Sequence, residues 1–192
     1  MLIELTPGPN MAWLAGLAAT EGRRSGLAAV GGVALGLLCN GVLAALGLAA
    51  LLQTAPQLWN GLRVAGAAMM VWLAIEAWRG AEENAQGPRR SDTARHSFLT
   101  GAMINLLNPK AYIFFLVVAP EFMRGATLGI SAALAFSLIS ATIATTIHLA
   151  IVLAGSKANR WVSDPARTKL VRRVFAIVML GVAISFILAD IR

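Results

Sequence analysis

Two short runs hold the residues whose types and spacing could do chemistry. One is Thr6-Pro7-Gly8-Pro9-Asn10, which leads straight into the apolar stretch Met11–Ala19. The other is Asn105-Leu106-Leu107-Asn108-Pro109-Lys110, set between Phe98–Ile104 and Ala111–Ala119. Proline removes a backbone donor and clashes with the preceding turn, so each run must interrupt a helix. In hydrocarbon the freed N–H and C=O groups need new partners, which restricts such breaks to the protein interior or to the edge of a wet cavity. Peptide groups released at two such breaks, joined by the amides of Asn10, Asn105 and Asn108, can bind a small polar solute through both donors and acceptors. The alternative for these asparagines is that they only cap broken backbone. Lys110 adds a cation about midway along its segment; at helix centre a lysine costs about 2.5–3.5 kcal/mol to insert, so it should face a cavity or a partner rather than lipid. Glu4, just before the first break, and His148, beside Thr142, Thr145 and Thr146, are the candidate proton carriers. For His148 a hydrogen bond to a nearby hydroxyl or carbonyl is the structural alternative.

The elements that must position these residues are membrane helices. Of the 192 residues 58% are hydrophobic and only 13% charged, with a mean hydropathy of +0.72; globular domains run near half apolar and a quarter charged. Gly26–Leu52 and Gly125–Ser156 carry no charge, and both exceed the roughly 20 residues of a spanning helix. The pattern gives an all-α integral membrane protein of one domain, 1–192. Its six segments are Leu5–Ala19, Gly26–Leu52, about Leu58–Trp78, Ser97–Ala119, Gly125–Gly155 and about Val171–Ala189. The net charge of +7 is spread over short connections, which orients a membrane protein and is not a nucleic-acid footprint. Arg23 and Arg24, the polar linker with Arg79, Arg89, Arg90 and Arg95, and the stretch from Lys157 to Arg173 mark the cytoplasmic side; Leu52–Leu58 is bare and the link after Ala119 has only Arg124. Both termini are then external. Cys39 stands alone, which excludes an intramolecular disulfide, and neither a metal cluster nor another cofactor is suggested. Glu4, Pro7 and Pro9 speak against a cleavable leader.

The chain divides into similar halves, about 1–80 and 97–192, joined by the linker 80–96. Each half begins with a Pro/Asn-broken helix, continues through a long Gly/Ala-rich one and closes with a third. Three segments followed by three reverse the entry side, so the halves form an inverted 3+3 repeat, and paired breaks in such a repeat point to a transporter's binding site. Gly32 and Gly36 have small-xxx-small spacing, suited to close helix packing. Trp59, Trp78 and Trp161 fall near expected interfaces, and Glu76 and Arg79 form a possible i,i+3 ion pair.

These motifs, with Glu21-Gly22-Arg23-Arg24-Ser25-Gly26 and Leu73-Ala74-Ile75-Glu76-Ala77-Trp78-Arg79 between them, resemble the LysE/RhtB family of amino-acid exporters over nearly the whole chain. The resemblance implies a six-helix transporter of the bacterial cytoplasmic membrane, moving amino acids or similar small metabolites outward, proton-driven and often dimeric. It implies a substrate site at Pro7, Gly8, Pro9, Asn10, Asn40, Asn105, Asn108, Pro109 and Lys110. Asn40 stands where the family often has a histidine or an acid. The family also carries a further stretch before Pro-Gly-Pro-Asn, so the first half-helix is expected to be short here. For a zwitterion, the helices restarting at Asn10-Met11 and Lys110-Ala111 offer N–H groups and a positive dipole end to the carboxylate. Carbonyls near Leu5–Thr6 and Leu106–Leu107 could accept from the ammonium. Rival readings are an exporter of another solute or a cation, and a membrane subunit or remnant that does not transport. A membrane enzyme is disfavoured because no nucleophile–base pair or metal motif is present.

Overall fold

The structure, a computed structural model, describes residues 8–82, 93–114, 130–162 and 164–188. Glu4 and Pro7 lie outside these, as does the side chain of Trp161. Regular elements among the described residues are all α-helices: α1 (Pro9–Glu21), α2 (Arg23–Ala45), α3 (Leu48–Thr54), α4 (Pro56–Glu82), α5 (Thr93–Leu106), α6 (Pro109–Ile113), α7 (Ile130–Val162) and α8 (Pro165–Leu188).

Four stretches are long and apolar enough to cross a membrane: Arg23–Ala45, Pro56–Glu82, Ile130–Asn159 and Pro165–Leu188. With its 13 residues, α1 extends about 20 Å at 1.5 Å per residue, less than the roughly 30 Å hydrocarbon core. The pair α5–α6 is interrupted at Asn108. Proline stands at the first position of α1 and of α6, where its missing N–H is no loss and its fixed φ suits a helix start. Gly22 joins α1 to α2 with φ +85°, a conformation that only glycine adopts without strain, so the two helices meet with no intervening loop.

One boundary differs from the sequence reading. The uncharged run Gly26–Leu52 is not a single helix. The chain leaves α2 after Ala45, turns through Gly47 at φ +92° and enters the short α3. Hydropathy is blind to this turn because Leu46 and Leu48–Leu52 continue the apolar run.

The bundle is apolar outside and small-residued inside. Leu35, Leu38 and Val42 on α2, Leu138 and Leu153 on α7, and Val174, Ile177 and Ile184 on α8 are exposed, the surface expected against lipid tails and not against water. Inside, the most extensive pairing joins α2 to α5, followed by α4 with α8 and α7 with α2 and α1. The α2–α5 seam brings backbone onto backbone: a methyl added at Gly36 would lie 2.8 Å from the Ala102 carbonyl oxygen, and one at Gly32 would strike the carbonyl of Phe98. Lipid offers no hydrophobic drive between helices, so approach of this kind supplies the packing energy.

At the basic end the helices are drawn together. Val152 fills the space over Gly26, Gly155 lies against Ala15 and Ala18, and Asn159 Nδ2 donates to Ala19 O at 2.8 Å. Arg172 donates to Gly80 O at 2.6 Å. Glu76 pairs with His96 at 3.3 Å in place of Arg79, because α5 brings that imidazole beside the top of α4. Trp78 carries the Arg173 guanidinium 5.3 Å from its ring centre, as an interfacial tryptophan can. Trp59 is buried with Leu52 and Tyr112, since α3 folds over it.

Candidate functional site

The breaks show how the sequence handles its own freed backbone. Asn108, extended at φ −86° and ψ 108°, caps α6 by accepting from Lys110 N at 3.0 Å. Both α1 and α6 begin at the proline, one residue ahead of the expected Asn10-Met11 and Lys110-Ala111. The freed carbonyls after α5 are engaged: Asn105 O accepts from Asn40 Nδ2 at 3.0 Å, and Leu106 O from the Tyr112 hydroxyl at 2.9 Å. Gly66 of α4 lies directly under Leu107 O. Of the ammonium acceptors expected at Leu106–Leu107, Leu106 O is taken up by Tyr112 and Leu107 O is covered by Gly66.

Side-chain amides meet beside the break. Asn10 Nδ2 donates to Asn105 Oδ1 at 2.7 Å, a buried bond that ties the start of α1 to the end of α5 across 95 residues of sequence. Asn10 Oδ1, Asn40 Oδ1 and Asn105 Nδ2 have no partner among the described residues. Flipping both amides of the Asn10–Asn105 pair would exchange donor for acceptor and still leave one of each unused.

Asn10 and Asn105 border a cavity of about 60 Å³. Its polar side is formed by Asn10, Asn105, Asn108, Lys110, Ser137, Ser140 and His148, and its apolar side by Met11, Leu37, Ala111, Phe114 and Ala144. The first turn of α1 at Gly8, Pro9 and Asn10 has no side-chain cap and forms one wall. Burying an unpartnered amide costs about 1–3 kcal/mol, and two such amides, Asn10 and Asn105, adjoin this one cavity. A second cavity, of about 250 Å³, lies on the far side of Pro9 and Lys110, against Pro109, Ile113, Val182, Ser185 and Phe186.

Of the residues named from sequence, Gly8, Pro9, Asn10, Asn105, Asn108, Lys110 and His148 converge on the first cavity. Pro109 is buried and lines the second. Asn40 is fully buried and props Asn105 O from behind without lining either space. Sequence reasoning named His148 but missed Ser137, Ser140 and Ala144, which share its face of α7. Their spacing of three, four and four places all of them on one side of a helix, and small or polar residues at those steps among Leu, Ile and Phe were the available signal. His148 is buried with Nδ1 unpartnered, while Thr142 and Thr146 spend their hydroxyls on carbonyls four residues back.

A membrane bundle in which α5–α6 is interrupted at Asn108 and α1 starts at Pro9 beside a cavity with polar lining residues has the kind of site that transporters build from discontinuous helices. The chain belongs to the LysE type translocator family, whose profile matches residues 1–190. It is 24% identical to a membrane protein of Vibrio cholerae over 94% of this chain and 89% of that one. To the homoserine/homoserine lactone efflux protein of Salmonella typhimurium it is 23% identical, over 91% and 85% of the two chains. To the leucine efflux protein of Klebsiella pneumoniae it is 28% identical, over 95% and 88%. No solved structure matches this chain.

Proposed function

We propose that this protein exports small amino acids with uncharged side chains across the bacterial cytoplasmic membrane, by alternating access between two inverted three-segment repeats. The carrying observation is the buried Asn10–Asn105 bridge, which leaves an amide donor and an amide acceptor unused at a cavity. A zwitterion needs both. Its carboxylate would lie against the uncapped start of α1 and Lys110, where N–H groups and positive charge favour an anion. Its ammonium would take the free amide oxygen. Met11, Leu37 and Phe114 then receive a modest apolar side chain, and the described lining residues offer no carboxylate to a basic one. Relatives that move leucine and homoserine support the same substrate class.

His148 is our proton carrier. It has an unpartnered nitrogen at the same cavity, and an intramembrane histidine is the residue best able to gain and lose a proton near neutral pH. Efflux of labelled leucine and homoserine from protein-containing vesicles, with and without an imposed pH gradient, tests the proposal. Export accelerated by the gradient, and gradient-insensitive after His148→Gln, is the expected result. If neither amino acid moves in any condition, a different cargo or a non-transporting role gains.

A further inference from the structure

The second cavity adjoins the first. Gly8, Pro9 and Lys110 line it as well as the amide cavity, so the two spaces adjoin at the two helix starts. Its far wall is the last turns of α8, at Val182, Ser185 and Phe186, the end that the charge pattern places outside. That wall is held in place. A methyl added at Gly66 would lie 2.8 Å from the Phe186 ring, and Phe186 O accepts from Arg63 Nε at 2.9 Å. Towards the basic end the helices are in contact, with Val152 filling the space over Gly26 and Gly155 meeting Ala15 and Ala18. The cavity's volume of about 250 Å³ is several times the roughly 30 Å³ that a water occupies. Its chemistry repeats that of the first site in sparser form, with Lys110 for a carboxylate and Ile113, Val182 and Phe186 for an apolar side chain.

We infer that this cavity is an exit chamber: a second, outward binding position for the same amino acid, entered from the amide site past Gly8, Pro9 and Lys110. The inference rests on the amide-site reading. The carboxylate stays with Lys110 during the transfer, while the side chain moves from Leu37 and Phe114 to Val182 and Phe186. Shared charge at the joint keeps the anion from being stranded between sites, and the apolar outer wall holds the guest weakly enough to release it.

The test uses the full chain with Cys39→Ala, to which Val182→Cys, Ser185→Cys or Ser140→Cys is added singly. A charged, membrane-impermeant thiol reagent is applied from outside, with and without leucine or homoserine. Labelling of Val182→Cys and Ser185→Cys that the amino acid slows supports the chamber. So does a Val182→Trp variant whose export falls to the level of empty vesicles while the amino acid still protects Ser140→Cys. Labelling of Val182→Cys and Ser185→Cys only by a lipid-soluble maleimide means that the cavity opens on lipid and overturns the chamber. Protection of Ser140→Cys without protection at Val182 or Ser185 overturns it too and leaves the amide site standing. Protection at none of the three positions removes the amide site and the chamber together.

Discussion

Asn105 is the residue through which both breaks communicate. Its side chain accepts from Asn10 and its carbonyl from Asn40, so one position fixes the bridge, the break and the cavity wall. Replacing it with leucine, of similar size, leaves Asn10 Nδ2 buried without its partner, while the backbone carbonyl at 105 still accepts from Asn40. Losing a hydrogen bond to a charged ligand group costs about 1.5–3 kcal/mol, which is about 10- to 100-fold in affinity. Asn105→Leu should therefore weaken leucine binding by that factor, and Asn10→Ala by a similar one, as read by calorimetry on purified protein. Asn40 acts differently, because it props the break from outside the cavity. Asn40→Ala should cost about 1–3 kcal/mol of stability, seen as a lowered midpoint in thermal unfolding, while the KM for export stays near the wild-type value. At this scale much of the site was legible, because proline and asparagine inside apolar runs have few other uses. Ser137 and Ser140 were not, since a serine inside a membrane helix ordinarily bonds its own preceding turn and nothing local says that it faces a cavity. Asn40 read as a site residue only through family resemblance, and geometry gives it a bracing role instead.

The helices stand or fall on how closely α2 approaches α5. Each glycine in a helix interior costs about 1 kcal/mol relative to alanine, and at Gly32 and Gly36 that cost is offset by backbone contact with Phe98 and Ala102. Gly32→Leu must push the seam apart and should abolish the folded monomer peak in detergent. Gly61 and Gly181 have nothing within 4 Å of an added Cβ, so Gly61→Ala and Gly181→Ala should be neutral or raise the unfolding midpoint slightly. The α1–α7 contact at the basic end is the complementary case. Ala15 and Gly155 adjoin there, and alternating access requires them to part. With Cys39→Ala, the pair Ala15→Cys and Gly155→Cys should form a disulfide under oxidation that stops export, and reduction should restore it; export unaffected by the cross-link would show that this contact is not a gate. The breaks and the glycine seam could be read from sequence because proline and glycine act locally. The end of α2 could not, because the turn at Gly47 is set inside an unbroken apolar run. Nor could the burial of Trp59, which depends on α3 folding back across α4.

For the whole molecule, composition alone gave the solvent: the exposed leucines, valines and isoleucines of α2, α7 and α8 make sense only against hydrocarbon. The two-fold relation between halves remains our proposal. It is supported by the way in which α2 pairs with α5 while α7 pairs with α1, and α4 with α8, the exchange that an inverted repeat produces. The external placement of both termini, argued from charge, predicts that a cysteine appended after Arg192 reacts with an impermeant reagent in intact cells, whereas one inserted between Arg89 and Arg90 does not. The central claim is narrower: a zwitterion binds where Asn10 and Asn105 meet. Purified protein should be screened by thermal shift against the proteinogenic amino acids and homoserine, and the best ligand titrated into wild type and Asn105→Leu at matched helix content. The account predicts an uncharged amino acid as the best ligand and at least about tenfold weaker binding in the variant, the loss of one such hydrogen bond; equal affinity in the two proteins would contradict it.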